Sequence, residues 1–275
     1  MKSRCCVALS TVLCVALLTA HSSAQLTASL TASPPAPVRD TTALALLQQS
    51  LTVSAGASLS QVQDIYAEAT MTSMADDGKT PGTTAAAKFY ALGSDKVRIE
   101  VTTPAGTRKQ VSNGQSAWIV DTDGTAKYVT QRALAPVGIG FWPQLFLAMD
   151  LANTASDVEY VGSDTRNGSK VLHVRVTRHE QAFARPELNR TRYDLYLDPA
   201  TGLVLEVEFL RRAPANLRMS IPVQLRFGDY RSVAGLLVPF QITEYVRGQL
   251  HTQTQITTFQ VNQGAQVSDF TVRPN

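Results

Sequence analysis

Tyr196-Leu197-Asp198-Pro199-Ala200-Thr201-Gly202-Leu203-Val204-Leu205-Glu206-Val207-Glu208-Phe209 is the stretch on which the fold turns. Asp198 to Gly202 concentrates Asp, Pro and Gly, which favour a chain reversal for separate reasons: a local side-chain hydrogen bond, a fixed φ and free access to positive φ. After it, Leu203, Leu205, Val207 and Phe209 stand at every second position, opposite Glu206 and Glu208. Side chains of a strand alternate between faces, so the pattern describes one oily and one polar face, as in a half-buried antiparallel sheet.

The same rhythm recurs outward from this stretch. Val97, Ile99 and Val101 oppose Arg98 and Glu100; Leu172, Val174 and Val176 oppose His173 and Arg175; Leu225 and Phe227 oppose Gln224 and Arg226. Asp77-Gly78, Asn113-Gly114, Asp123-Gly124 and Asn167-Gly168 supply hairpin dipeptides between such runs, because these residues tolerate positive φ. The spacing predicts about ten or eleven strands arranged as a meander, with no call for crossover helices. The expected class is mainly β with minor α.

Two helices are predicted. Asp40 is placed as an N-cap, with Leu44, Leu47 and Leu51 forming a stripe and Gly56 following as a C-terminal cap, which gives a helix over residues 41–55. Leu134 to Leu151 is almost wholly apolar, but Pro136, Gly138, Gly140 and Pro143 break it. Pro143 suits the first turn of a short helix reaching about Asn153. The segment is too oily for an exposed loop. Phe141, Trp142, Leu145, Phe146 and Met149 are therefore expected as a movable plug on the oily sheet face. Two short helices over so many strands leave two arrangements open: a filled core, or a curled sheet enclosing a cavity for a lipid tail.

The N-terminus bears on the compartment. Lys2 and Arg4 precede an apolar run from Val7 to Ala20, and Ser22-Ser23-Ala24 offers small residues before Gln25. This reads as a signal peptide over residues 1–24, too short in its core for a good membrane span, and predicts a periplasmic or secreted protein. Leu13 before Cys14 does not make a lipid-anchor site. The Pro- and Thr-rich stretch 25–40 is expected as a disordered linker, and residues 41–275 as a single β domain. Cys5, Cys6 and Cys14 all lie within the leader, so the remainder has neither disulfide nor thiolate chemistry. Without Lys2 and Arg4, 23 basic residues face 22 acidic ones. Such a chain lacks the basic footprint of a nucleic-acid binder.

No catalytic group stands out. Gly114-Gln115-Ser116-Ala117-Trp118 lacks the last glycine of a nucleophile elbow and falls in a hairpin. His179-Glu180 begins like a zinc-protease helix, but Phe183 holds the second histidine's place. His173 and His251 stand alone on strand patterns, and no metal or other cofactor is expected. Glu206 and Glu208 are about 7 Å apart on one strand face, a separation that glycoside hydrolysis can use; a solvated polar face explains them as well. Arg166, Lys170, Arg175, Arg178, Arg185, Arg190 and Arg192 form a locally basic stretch that could face an anionic lipid or a partner.

The order of motifs resembles one superfamily. Asp95-Lys96-Val97-Arg98-Ile99-Glu100-Val101, Pro104, and then Val111-Ser112-Asn113-Gly114-Gln115-Ser116-Ala117-Trp118-Ile119-Val120-Asp121 resemble the LolA/LolB-like lipoprotein-carrier proteins. The C-terminal half resembles their larger relatives, the outer-membrane lipoprotein-sorting proteins, through Tyr196 to Leu203, Phe227-Gly228-Asp229-Tyr230-Arg231, Gly235 to Phe240, Val261-Asn262 and Asp269-Phe270. The resemblance covers residues 41 to 275. It implies a half-open antiparallel barrel plugged by helices on its concave face, and a periplasmic, non-enzymatic carrier of acyl chains or lipoprotein. The apolar cavity would then be built from the plug residues together with Val97, Ile99, Val101, Leu205, Val207, Phe209, Leu225 and Phe227. The carriers hold an arginine, followed by proline, shortly before the strand matching Val97–Val101, and it is thought to latch the lid; here that region reads Phe89-Tyr90-Ala91-Leu92-Gly93-Ser94. An envelope sensor or interaction domain of the same fold, and a hydrolase using Glu206 and Glu208, are the alternatives.

Overall fold

The computed structural model describes residues 36–75, 77–129, 142–179, 190–213 and 216–272. Thirteen strands among these residues form one antiparallel sheet. The first six are β1 (Asp64–Met74), β2 (Pro81–Leu92), β3 (Lys96–Thr103), β4 (Gly106–Asn113), β5 (Ala117–Val120) and β6 (Ala126–Val129). The other seven are β7 (Asp157–Arg166), β8 (Ser169–His179), β9 (Arg190–Leu197), β10 (Val204–Ala213), β11 (Asn216–Val233), β12 (Leu236–Val246) and β13 (Gln249–Val261). Helix α1 (Thr41–Ser54) precedes β1, and helix α2 (Pro143–Ala152) lies between β6 and β7.

The spatial order is β6-β5-β4-β3-β2-β1-β13-β12-β11-β10-β9-β8-β7. The sheet is thus two meanders joined where β1 pairs with β13, from Ile65↔Val261 to Ser73↔Thr252. It stays open, and its two edges are β6 and β7, which are neighbours in sequence.

Alternation builds the layers. On β2, Ala85, Ala87, Phe89 and Ala91 are buried between exposed or half-buried neighbours. On β13, Thr252, Thr254 and Ile256 are buried while Gln253 and Gln255 are exposed. One face of the sheet joins Ala43 and Leu47 of α1 and Leu147 of α2 in a single core cluster. The predicted hairpins form between β1 and β2, β4 and β5, β5 and β6, and β7 and β8, and the Asp198–Gly202 turn joins β9 to β10. Gly114 takes φ 88°, where other side chains are strained, and a Cβ there would lie 2.1 Å from Asp95 Oδ2, so that side chain would have to move.

Three features depart from the sequence reading. The strands number thirteen because the chain also reverses at Ala234-Gly235 and Arg247-Gly248, with positive φ at all four residues. Ala and Arg rarely adopt that conformation, so neither dipeptide reads as a turn. Leu203 and Leu205 do not share the face of Val207 and Phe209. The β9–β10 register shifts between Val204 and Glu206, so Val204 enters the core and Leu205 is left outside it. A bulge of this kind flips every side chain on one side of it. Lastly, Val38, Arg39 and Asp40, at the end of the expected linker, are hydrogen-bonded to the edge strand: Val158 N donates to Val38 O at 2.7 Å and Asp40 N to Val158 O at 2.9 Å.

Helix α1 follows its capping signals. Asp40 accepts from Ala43 N at 2.8 Å, and Gly56 takes φ 51° just beyond Ala55, whose N–H reaches Leu51 O. Ala43 and Leu47 are fully buried, while Leu44 and Leu51 pack at the margin of the core.

Candidate ligand-binding site

The topology forces a helical layer onto the oily face. Val129 ends one edge strand and Asp157 begins the other, so the connection must pass from edge to edge of a thirteen-stranded sheet. Helix α2 rides on that connection and packs against α1. Trp142, just before Pro143, is 0% exposed and meets Phe259 of β13 edge to face, with centroids 6.3 Å apart. Burying an indole removes roughly 150–250 Å² from water, worth about 4–6 kcal/mol at about 25 cal/mol per Å².

Both ends of α2 are fastened by side chains. Gln144 Nε2 donates to Leu237 O on β12 at 2.7 Å. At the far end the Arg39 guanidinium donates to Asn153 O at 2.7 Å, Leu151 O at 3.1 Å and Ser156 O at 3.4 Å. A cation there satisfies carbonyls that the helix leaves open and complements the negative end of its dipole. Adjacent residues thus serve opposite helix ends, with Asp40 at the start of α1 and Arg39 at the finish of α2.

The layer is fastened but imperfectly satisfied. Ser50 Oγ, Trp142 Nε1, Gln144 Oε1 and Ser156 Oγ are buried without a hydrogen-bond partner among the described residues. Each such atom costs about 1–3 kcal/mol. Beside Trp142 lies a cavity of about 200 Å³, walled mainly by Leu59, Val62, Ile65, Ala91, Trp142 and Ala148, with Gln63, Asp64 and Ser94 also in its lining. Small residues from β2 and α2 leave this space open.

The expected site residues divide into groups. Val97, Val207, Phe209, Leu225 and Phe227 belong to the core cluster under the helices, with Ile99 and Val101 at its margin. Leu205 does not, for the bulge turns it to the other face. Among the described residues, Trp142 alone of the expected ones lines the cavity. Phe141, and the side chains of Leu145, Phe146 and Met149, lie outside the described residues. Ile65, Ala91, Ala148 and Arg39 went unmarked in the sequence. Alanine carries no pattern signal beyond its alternation, and a long-range cap such as Arg39 leaves none.

Glu206 and Glu208 sit on the opposite face in a charged ladder rather than in plain solvent. Cross-strand register aligns His173, Tyr196, Glu206 and Arg226 in one row, and Arg175, Asp194, Glu208, Gln224 and Tyr245 in the next. Glu206 is 2% exposed; Arg226 Nε donates to its Oε2 at 3.2 Å, and Arg166 Nη1 stands 3.6 Å from its Oε1. Arg166 also donates to Glu208 at 3.0 Å, as does the Tyr196 hydroxyl. The two carboxylates considered as an acid/base couple are bridged by one arginine. Burial, then the Glu208 charge, raises the Tyr196 phenol well above its ordinary pKa. The three histidines among the described residues have local partners: His173 Nε2 lies 2.8 Å from Asp194, His179 Nε2 lies 2.7 Å from Asp157, and His251 Nδ1 lies 2.9 Å from the Thr252 hydroxyl. Ser116 closes the β4–β5 hairpin, its N–H donating to Asn113 Oδ1 at 2.8 Å. Among the described residues no helix is long and apolar enough to cross a membrane.

No family model matches the sequence, and no curated protein does. Solved structures do match. A domain from Vibrio parahaemolyticus classed with outer membrane lipoprotein-sorting proteins has a TM-score of 0.55 at 14% identity, over 82% of this chain and 95% of that one. A LolA superfamily protein from Nitrosomonas europaea has a TM-score of 0.55 at 10% identity, over 84% and 97%. A DUF1329 family protein from Desulfovibrio piger reaches 0.54 at 15% identity, over 84% and 96%. An open antiparallel sheet with a helical layer on one face, matched over most of both chains, is the fold of the LolA superfamily, and this chain has that fold.

Proposed function

We propose that this protein is a non-enzymatic carrier that holds acyl chains of a lipid or lipoprotein beneath α2, in the periplasm, after its leader has directed export. The observation that carries the reading is the helical layer on the oily face, with both ends of α2 fastened by single side chains and a mainly apolar cavity beside it. At about 200 Å³ the cavity is smaller than the roughly 300–1,000 Å³ of small-molecule sites. A long chain therefore enters only as α2 shifts. Each buried methylene contributes about 0.8 kcal/mol, so several methylenes offset the contacts that the shift breaks. Ala91, Gly93 and Ser94, from the region where the resembled carriers keep their arginine, are part of the cavity wall, and Arg39 is the arginine that holds the helix.

Native mass spectrometry of the full chain purified from a membrane-containing lysate tests the reading, alongside titration with a fluorescent fatty acid. Co-purified lipid and saturable probe binding are expected. Ala148→Phe, which fills the cavity, should weaken probe binding while the melting transition stays cooperative. Wild-type protein that carries no lipid and binds no probe rejects the proposal.

A further inference from the structure

The basic stretch singled out in the sequence is not one patch. Arg166 flanks the β7–β8 turn, Lys170 lies just beyond it, Arg175 lies mid-sheet against Asp194, and Arg185 falls outside the described residues. Arg190 and Arg192 go elsewhere. Antiparallel register brings the start of β9, the end of β10, the start of β11 and the β12–β13 turn to one rim of the sheet. Arg190 and Arg192 thus share this rim with Arg211, Arg212 and Arg247, which come from distant parts of the chain.

At this rim the β10–β11 ladder runs on past its pairing with β9 and β12. The β9 ladder stops at Phe209↔Tyr193 and the β12 ladder at Val223↔Val246, while β10 and β11 continue pairing through Arg212↔Ser220. Leu210 and Met219, on this two-stranded arm, are 48% and 43% exposed. No Asp or Glu occurs from Phe209 to Gly228, against four arginines. The β12–β13 turn braces the base of the arm, where Arg247 N donates to Pro222 O at 2.9 Å. Glu244 neutralises Arg211 and Asp194 holds Arg192 Nε. Arg190, Arg212 and Arg247 meet no carboxylate among the described residues.

We propose that this rim and arm dock the protein on an anionic lipid surface, the arginines facing headgroup phosphates and Leu210 and Met219 entering the interface. Guanidinium forks match phosphate oxygens, an anionic leaflet attracts such clusters within a Debye length, and exposed apolar side chains beside arginines suit the headgroup–acyl boundary. An acidic protein partner would satisfy the same charges, and the test below separates it from a lipid surface.

Co-sedimentation of the full chain with phosphatidylcholine vesicles, with and without phosphatidylglycerol, tests this. Binding to the anionic vesicles, lost at high salt, is expected. Replacing Arg190, Arg212 and Arg247 together by Gln should weaken it at least about tenfold. Leu210→Ser with Met219→Ser should weaken it while leaving its salt dependence. Circular dichroism melting verifies the fold, and fatty-acid probe binding in solution should stay at the wild-type level in both variants, which separates this site from the cavity under α2. Equal binding to neutral vesicles, unaltered binding by the arginine variant, or capture by soluble polyglutamate without vesicle binding would overturn the proposal.

Discussion

The two faces of strands β8–β12 are dried by different means. On the inner face Val174, Val176, Leu195, Val207 and Leu225 join one core cluster with Ala43 and Leu47 of α1 and Leu147 of α2, so that helices take part in excluding water. On the outer face no helix is present among the described residues, yet Tyr196, Asp194 and Glu206 are nearly as buried. Their cover is the sheet's own long side chains: Arg166 over the Tyr196 ring at 4.0 Å, Arg226 over Tyr245 at 4.4 Å, and His173 stacked on Tyr196 at 4.6 Å. A lid made of helix can move as a unit and uncover space. A lid made of arginines tied to buried carboxylates cannot leave without stranding a charge. The first arrangement suits cargo, and the second makes a stiff wall to hold it.

Substitutions on the two faces can break this contrast. The largest effect is expected inside. Trp142→Ala should lower stability by about 3–5 kcal/mol, as for other buried aromatics, read by urea denaturation. A loss under about 1 kcal/mol would mean that the helical layer is not part of the cooperative core. Next comes Glu206→Gln on the outer face, expected to cost about 2–3 kcal/mol by leaving Arg226 without its buried counter-charge. Adding Arg226→Met should recover part of that loss, whereas a neutral single substitution would show the outer face to be solvated after all. Arg39→Gln should be milder, about 0.3–1 kcal/mol. It should raise hydrogen exchange in α2 well above that of β8–β12, and an even rise through the molecule would deny that α2 opens separately. The smallest effect belongs to the β9–β10 turn, which serves both faces. The Thr201 hydroxyl, then backbone N–H groups, lower the Asp198 carboxyl below its ordinary pKa. A carboxylate with a depressed folded pKa stabilises above its unfolded value, about 3.9, and loses that contribution as pH falls through the folded value. Protection of the Ala200 and Leu203 amides, taken against their intrinsic exchange rates, should therefore fall below about pH 4, and Asp198→Asn should remove that fall.

How much was legible follows from where each signal is stored. Asn113-Gly114 and Asn167-Gly168 announced their hairpins because the residue types match the backbone angles locally. Ala234-Gly235 concealed one, since Ala234 (φ 50°) takes a conformation that its own chemistry disfavours and the surrounding ladder imposes. The oily faces of β3 and β11 could be read directly from Val97 and Leu225. The face of Leu205 could not, because a single bulged residue reverses the parity and leaves the composition unchanged. Strand alternation marked Glu206 as polar and outward, which holds, but gave no hint of its burial. That depends on Arg166, forty residues earlier in the chain, and on Arg226, twenty residues later. The candidate site was half legible: the apolar 134–151 run foretold a covering helix, whereas its fastening by Arg39 and the cavity at Ala91 and Ala148 arise only from tertiary placement.

The junction between β1 and β13 also bears on how the chain acquires this shape. Every other ladder pairs strands that are consecutive in sequence, but Ile65 must find Val261. The two meanders can each zip up from their hairpins, a sequence of short loop closures. The seam that unites them waits for the last strand and carries the entropy of closing nearly the whole chain. Until then β1 and β13 are both bare edges, open to pairing with a second molecule. Folding should accordingly show a fast phase for the separate meanders and a slow, concentration-sensitive one for the seam, and a chain stopped before residue 249 should aggregate through the uncovered edge of β1.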